Sequence, residues 1–291
     1  MDLKGLKGIL PPLVTPFRED GEVDYDLFRE QVRKIVETGV RGLAVGGSTG
    51  EGHTLTDEEL GELISNARSV VGRNFPLIAG IITESSYQAV RRGRIAKNAG
   101  ADALMVTPIH YLFNSGDQGN YEFFREVHKG TGMPVVVYNV VGWNVVSVGV
   151  MERLAEEGEI AAVKQSGGDI HGLGELLIRV RGIPIYTAID DMMFPSFLMG
   201  ASGAICAVNT LLPKTSVRLF RAVESGDLRE ARELHQALLP IVREVVLKPD
   251  MPSRIKAVMN RAGWKVGYAR RPLLPPEETE GVARKVRELE G

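Results

Sequence analysis

Residues 161–169, AAVKQSGGD, place a lysine, Lys164, after three small apolar residues and before a polar, glycine-bearing turn. The segment reads as the end of a buried strand. A buried ammonium is costly unless it is paired or loses its proton, so burial favours the neutral amine. A neutral amine attacks a ketone and forms an imine. Once protonated, the imine draws electrons, so a carbon–carbon bond beside it can form or break. The plainer account is a lysine at a strand end whose ammonium reaches solvent. Two other groups suit the imine chemistry. Residues 46–51, GGSTGE, combine successive backbone N–H groups with the hydroxyls of Ser48 and Thr49, a nest that fits a carboxylate. Such a turn also serves geometry alone, its glycines permitting a tight bend from strand to helix. Tyr138 is a phenol suited to relaying protons to and from the carbinolamine, or else a core aromatic.

These residues must be positioned by the elements around them. Short apolar runs recur at 9–16, 42–49, 76–82, 101–107, 134–140, 160–166, 183–189 and 203–209. Each is bounded by Gly, Pro or Asp. Apolar residues run on without alternating, as in parallel strands buried on both faces. Between them lie amphipathic stretches at helical spacing. Leu27, Phe28, Val32, Ile35 and Val36 share one face of the first. The second opens on Thr56 with Asp57, Glu58 and Glu59 behind it, a helix start. Eight strands alternating with helices predict a (β/α)8 TIM barrel over residues 1–212, with a C-terminal helical extension over 213–291 that forms part of the same functional unit. In the extension, 217–246 reads as one long helical stretch, followed by helices over 252–264 and 278–291. The rival fold is an open doubly wound sheet, but no GxGxxG opens a helix after the first strand. In a barrel the chemistry sits at the C-terminal strand ends. There the sequence places Thr15, the Gly47–Glu51 turn, Thr107, Tyr138, Asn139, Lys164, Asp190, Asp191, Ile205 and Asn209.

Composition narrows the classes of function. The balance of 44% hydrophobic and 25% charged residues is that of a globular protein, and a net charge of −2 without a dense basic tract argues against nucleic acid or an acidic membrane as partner. The one cysteine, Cys206, permits no intrachain disulfide and fits a cytoplasmic setting; within a strand it is expected to be a buried, inert thiol. No apolar run approaches the roughly 20 residues that span a bilayer, and the N-terminus lacks a secretory pattern. His53, His110, His128, His171 and His235 show no metal-ligand spacing, so no metal is expected. Asp190 and Asp191 suit either a polyol substrate or, preferably, a structural role at the rim. Barrels that hold phosphorylated substrates often use glycine-rich loops after strands 7 and 8. Here GASG precedes the eighth run and NTLLP follows it, so a non-phosphorylated substrate is expected.

The motifs GGSTGE at 46–51, YNV at 138–140, VKQSGGD at 163–169 and GAICAVN at 203–209 resemble those of the dihydrodipicolinate synthase / N-acetylneuraminate lyase family. The similarity runs from LVTPF at 13–17 through KPDMPSRIK at 248–256 into the helical tail. The resemblance implies a class I mechanism in which a 2-oxo acid, usually pyruvate, condenses with Lys164 and then reacts with an aldehyde. It implies Tyr138 as the proton shuttle, Gly47, Ser48 and Thr49 beside the bound carboxylate, Ile205 as a pocket-lining strand-8 residue, no metal or organic cofactor, and a homotetramer.

Two segments depart from the family's synthase pattern. After the tyrosine, synthases read roughly YNVPxRT, and the arginine holds the aldehyde's carboxylate. This chain reads YNVVGWN, with Trp143 in the arginine's place. An indole has an apolar face and one N–H donor and does not pair with a carboxylate. That points to a less charged, even aromatic, acceptor, unless Trp143 packs in a reshaped loop and another arginine serves. At 108–114, PIHYLFN, Ile109 and His110 stand where synthases carry two tyrosines, so Tyr111 or His110 is the candidate to complete the relay. The leading expectation is a Schiff-base lyase or aldolase. The alternatives are dihydrodipicolinate synthase proper, a sugar-acid dehydratase or hydratase-aldolase, and a non-catalytic ligand-binding barrel.

Overall fold

A computed structural model describes residues 3–166 and 170–291; the last three residues of the VKQSGGD motif, 167–169, lie outside the described residues. Eight strands form one parallel sheet: β1 (Gly8–Ile9), β2 (Leu43–Val45), β3 (Leu77–Ile81), β4 (Ala103–Val106), β5 (Val135–Asn139), β6 (Ala162–Gln165), β7 (Ile185–Thr187) and β8 (Gly203–Ala204). Neighbours in sequence pair in order from β2 to β8, and β8 pairs back to β1. The seam between β1 and β2 closes through Arg41 N–H to the Ile9 carbonyl, Ala44 N–H to the Pro11 carbonyl and Leu13 N–H to the Ala44 carbonyl. The sheet is thus a (β/α)8 barrel.

Each apolar run delivers a strand, but the first and the last are only two residues long. Pro11, Pro12 and Pro16 have no N–H to donate, so run 9–16 cannot sustain a ladder. The continuous apolar character has a two-sided cause. Leu10, Ala44, Ile78, Met105, Val136, Tyr138, Ala162, Tyr186 and Ile205 fill the barrel interior. Their chain neighbours, among them Leu43, Leu77, Leu104, Val135, Val137, Val163 and Ile185, pack against the surrounding helices. Leu3 and Leu6 cover the N-terminal end of the barrel, where the Leu6 carbonyl accepts the Tyr186 hydroxyl at 2.7 Å.

Helices follow the strands at Tyr25–Val36, Asp57–Val71, Ser86–Ala99, Gly116–Thr131, Val148–Glu156, Ile170–Arg179, Met193–Leu198 and Val208–Leu211. The Thr56–Glu59 capping box forms as the sequence predicts, with both reciprocal hydrogen bonds present. The long stretch 217–246 differs from expectation. It divides into Pro213–Ser225 and Leu228–Ile241, because Gly226 takes a left-handed conformation and the Asp227 carboxylate caps the second helix by accepting the Glu230 N–H. Met251–Arg261 and Glu280–Glu290 complete the extension. The Glu290 carboxylate accepts the backbone N–H groups of Lys214 and Thr215, tying the last helix to the start of the first in this tail.

Barrel closure depends on Gly203. A Cβ there would sit 1.8 Å from the Gly8 carbonyl oxygen. Gly203→Ala is therefore expected to force β1 and β8 apart and to lower stability by about 2 kcal/mol or more, read as a fall in melting temperature; an unchanged melt would contradict this account of the seam.

Candidate active site

Lys164 lies on β6 directly beside Tyr138 of β5, the two being Cα partners in the parallel register. Both side chains point into the barrel, since they share the alternation of Val136 and Ala162. Lys164 is 3% exposed. Its Nζ stands 3.6 Å from the centroid of the Tyr138 ring. Among the described residues the amine has no hydrogen-bond acceptor and no carboxylate partner in salt-bridge range. The Tyr138 hydroxyl donates to the Ser48 Oγ at 3.3 Å. The structure thereby joins three of the residues singled out from the sequence: an amine, a phenol and a hydroxyl at one strand-end mouth.

The turn after β2 is built to leave donors free. Glu51 N–H donates to the Ser48 carbonyl at 3.1 Å and Gly52 N–H to the Gly47 carbonyl at 3.0 Å. The N–H groups of Ser48 and Thr49 have no acceptor among the described residues. Gly52 allows the fold-back, for a Cβ there would lie 1.8 Å from the Gly46 carbonyl oxygen. Thr107, just after β4, carries a buried hydroxyl without a partner among the described residues. Ile205 is fully buried in the barrel interior, and its N–H donates to the Thr187 carbonyl.

Other strand-end residues are taken up by structure. Thr15 donates to the Gly50 carbonyl at 2.7 Å and steadies the turn. Asn139 donates to the Val146 carbonyl and to Gln165 Oε1, and its own Oδ1 accepts the Val146 N–H, so it fixes the loop after β5. The eighth strand stops at Ala204, so Cys206 lies beyond it and Asn209 sits in the helix Val208–Leu211, where its Oδ1 accepts the Cys206 N–H. Cys206 is buried, and burial pushes its thiol well above the ordinary range, which makes it a poor nucleophile.

The loop residues stand apart from this cluster. Trp143 is 59% exposed and Tyr111 65% exposed. Tyr111 makes no hydrogen bond to Tyr138 among the described residues. Glu84 anchors the loop after β4, accepting the N–H groups of His110 and Tyr111 on one oxygen and standing 2.6 Å from His110 Nδ1 with the other. Asn144, fully buried, donates to the Ile109 carbonyl at 3.0 Å, and Asn114 donates to the Trp143 carbonyl at 2.8 Å. These bonds hold the loops after β4 and β5 together. Among the described residues no three His, Cys, Asp or Glu side chains converge as a metal site, and no helix is long and apolar enough to cross a membrane.

Asp190 takes the structural role expected of it at the rim, while Glu51 has a tie that its position in the sequence did not show. Asp190 Oδ1 accepts the Val208 N–H at 2.6 Å, bridging the ends of β7 and β8. Glu51 forms a buried ion pair with Lys256 of the C-terminal extension. One sequence signal for Lys256 existed: it lies three residues from both Ser253 and Met259, which are buried on the same helix face.

The chain matches the model of the dihydrodipicolinate synthetase family over residues 5–288. The 4-hydroxy-tetrahydrodipicolinate synthase of Methanothrix thermoacetophila is 32% identical to it over 286 residues, 96% of this chain and 95% of that protein. A crystal structure of dihydrodipicolinate synthase from Bacillus anthracis superposes with a TM-score of 0.90 at 29% identity, covering 97% of this chain and 98% of that one. The E. coli K12 prophage protein YagE, of the same family and crystallised with pyruvate, superposes with a TM-score of 0.88 at 26% identity over 97% of each chain. Fold and relatives together define the class, a (β/α)8 lyase of the Schiff-base aldolase type. The chain belongs to the dihydrodipicolinate synthetase family.

Burial raises the Asp190 carboxyl from 3.8 to about 6, against the opposing pull of the Val208 N–H and Lys164. The folded pKa lies above the unfolded one. The group's contribution to stability is therefore full below about pH 3.8 and lost as pH rises through 6. Asp190→Asn keeps an acceptor for Val208 and removes this dependence. Relative to wild type it is expected to gain on the order of 1 kcal/mol between pH 5 and 7.5, measured by denaturant melts; equal slopes for the two proteins would rule this out.

Proposed function

We propose that this enzyme joins or splits a 2-oxo acid, pyruvate in the first instance, and a non-phosphorylated aldehyde through an imine on Lys164. One observation carries the reading: a buried amine with no acceptor among the described residues stands against the ring of Tyr138, whose hydroxyl reaches Ser48. In this mechanism the carboxylate of the 2-oxo acid takes the free N–H groups and hydroxyls of Ser48 and Thr49. The Lys164 amine adds to the C2 carbonyl. Tyr138 moves protons to the carbinolamine oxygen so that water leaves, and later to or from the aldehyde oxygen. Loss of a C3 proton from the iminium gives an enamine, which adds to the aldehyde; hydrolysis then frees the lysine. The reverse sequence cleaves the product. No metal or organic cofactor is needed for any of these steps.

The acceptor is an aldehyde without a carboxylate of its own. The loops that follow β2 to β8 contain no arginine, and no lysine besides Lys164 of β6 itself. Arg18, after β1, donates to the Val23 carbonyl of its own loop. Trp143 instead offers an exposed apolar face on a loop anchored by Asn114 and Asn144. A second reading, 4-hydroxy-tetrahydrodipicolinate synthase, is favoured by the names of the relatives. It requires a cation for the carboxylate of the second substrate.

The barrel and its C-terminal extension, residues 1–212 and 213–291, act as one functional unit in this reading. The setting is cytoplasmic. The assembly is a homo-oligomer, a tetramer by family resemblance, in which the exposed Tyr111, Leu112 and Phe113 find cover.

Incubation with pyruvate and borohydride, followed by peptide mapping, is expected to leave a reduced adduct on the Lys164 peptide and none in Lys164→Ala. An adduct elsewhere, or turnover retained by Lys164→Ala, would end the proposal. Trp143→Arg is expected to shift the ratio of kcat/KM for aspartate semialdehyde over an aromatic aldehyde upward by about tenfold or more. Efficient wild-type turnover of the semialdehyde would favour the second reading instead.

A further inference from the structure

The C-terminal extension reaches the mouth of the barrel through one buried ion pair. Glu51 ends the GGSTGE turn, and Lys256 lies on the helix Met251–Arg261. Their side chains are each 1% exposed and meet at 2.5 Å. The second carboxylate oxygen of Glu51 accepts the backbone N–H of Arg270 at 2.9 Å, and Lys256 also donates to the Tyr268 carbonyl at 2.7 Å. The Arg270 guanidinium carries the connection on to the Thr54 carbonyl and the Glu59 carboxylate. The chain from β2 into the first turn of the following helix is thus gripped at Glu51, Thr54 and Glu59 by residues from the extension. Phe17 forms the apolar wall, with Lys256 Nζ 4.5 Å and the Arg270 guanidinium 4.2 Å from its ring centroid.

Two features link this grip to the turn that bears Ser48 and Thr49. Glu51 is a non-glycine residue at φ 55°, a conformation that persists where its surroundings over-determine it. Its N–H is bonded to the Ser48 carbonyl, so moving Glu51 moves Ser48. Burial also pushes the Lys256 ammonium down, to about 8, against the pull of Glu51. A buried ion pair is a poor source of net stability, because desolvation offsets the attraction and an apolar pair often serves as well. What it supplies is a fixed direction for the backbone that bears it.

We infer that Glu51 and Lys256 are positioning residues, which hold Ser48 and Thr49 in register with Lys164 and so make the C-terminal extension part of the 2-oxo acid site. The inference rests on the reading of Ser48 and Thr49 as the carboxylate nest. It predicts a loss of 2-oxo acid affinity when the pair is broken, with the chemistry at Lys164 intact.

The test is borohydride trapping on the full-length chain over a range of pyruvate concentrations, in wild type, Glu51→Gln and the double variant Glu51→Gln with Lys256→Met. The double variant leaves no buried charge unpaired at these two positions, and thermal melts report whether each protein is folded. The half-saturating pyruvate concentration is expected to rise by about tenfold in both variants, while the extent of trapping at saturation matches wild type. A role in stability alone would lower the melting temperature and leave half-saturation unmoved in the folded protein, and that result overturns the inference. Should the double variant fail to fold, the near-isosteric Glu51→Gln decides. If wild type itself gives no Lys164 adduct, the reading of the site falls and the clamp falls with it; an adduct with unchanged half-saturation removes the clamp alone.

Discussion

A lysine amine kept dry at the end of a strand, against the face of a tyrosine ring, is the constraint around which this molecule is arranged. Nothing local would hold it there. An ammonium on a free chain is strongly hydrated, and a four-carbon stem has ample freedom to reach water. The barrel removes both options. Parallel pairing of β5 and β6 sets Tyr138 opposite Lys164, and the period-two alternation sends both side chains inward. Apolar layers from Val136, Ala162, Met105 and Ile205 leave the stem no route except toward the mouth. A shift of one residue in that register would turn the lysine toward the helices, where Val137 and Val163 now pack.

The mouth then becomes a question of which loops face the amine and what holds them. The turn after β2 keeps its donors free by bonding its own carbonyls internally, and its outer end is gripped from the extension. The loops after β4 and β5 are tied together through Asn114 and Asn144, while Trp143 and Tyr111 remain outside the core. The amine and the phenol are thus enclosed beside a hydrogen-bonded turn, while the loops after β4 and β5 present exposed apolar side chains. Such a division suits an enzyme whose covalent chemistry is common to a family while its second substrate varies.

Much of this was legible in the residue order. Strands buried on both faces need continuous apolar runs, and such runs stand out from the amphipathic stretches between them. The eight segments accordingly form eight strands. Capping chemistry was equally readable at Thr56–Glu59, because the box is made within one turn of chain. The first strand and the tail were read less well for local reasons. Prolines at 11, 12 and 16 remove the donors of a ladder without lowering hydrophobicity. In the tail, the Ser225–Gly226–Asp227 turn interrupts a face whose apolar periodicity resumes on both sides. Lys164 stands out because a charged amine is unusual within a buried strand, whereas Tyr138 and Ser48 gain their weight from the motifs around them.

Residue order settled the architecture and the kind of chemistry, because hydrophobic period, turn residues and an amine at a strand end all act over a few positions of chain. It left open which partner each charged group would find. Glu51 and Lys256 are 205 positions apart and Asp190 meets the Val208 N–H across two strand ends. Asn139 ends β5 next to the Tyr138–Lys164 pair and Thr15 lies beyond β1, yet both spend their polar atoms on neighbouring loops. Only closure of the barrel and docking of the helical extension decide such pairings. A desolvated charge or donor is satisfied by whatever the fold brings within about 3 Å, and that distance is a property of the assembled tertiary structure.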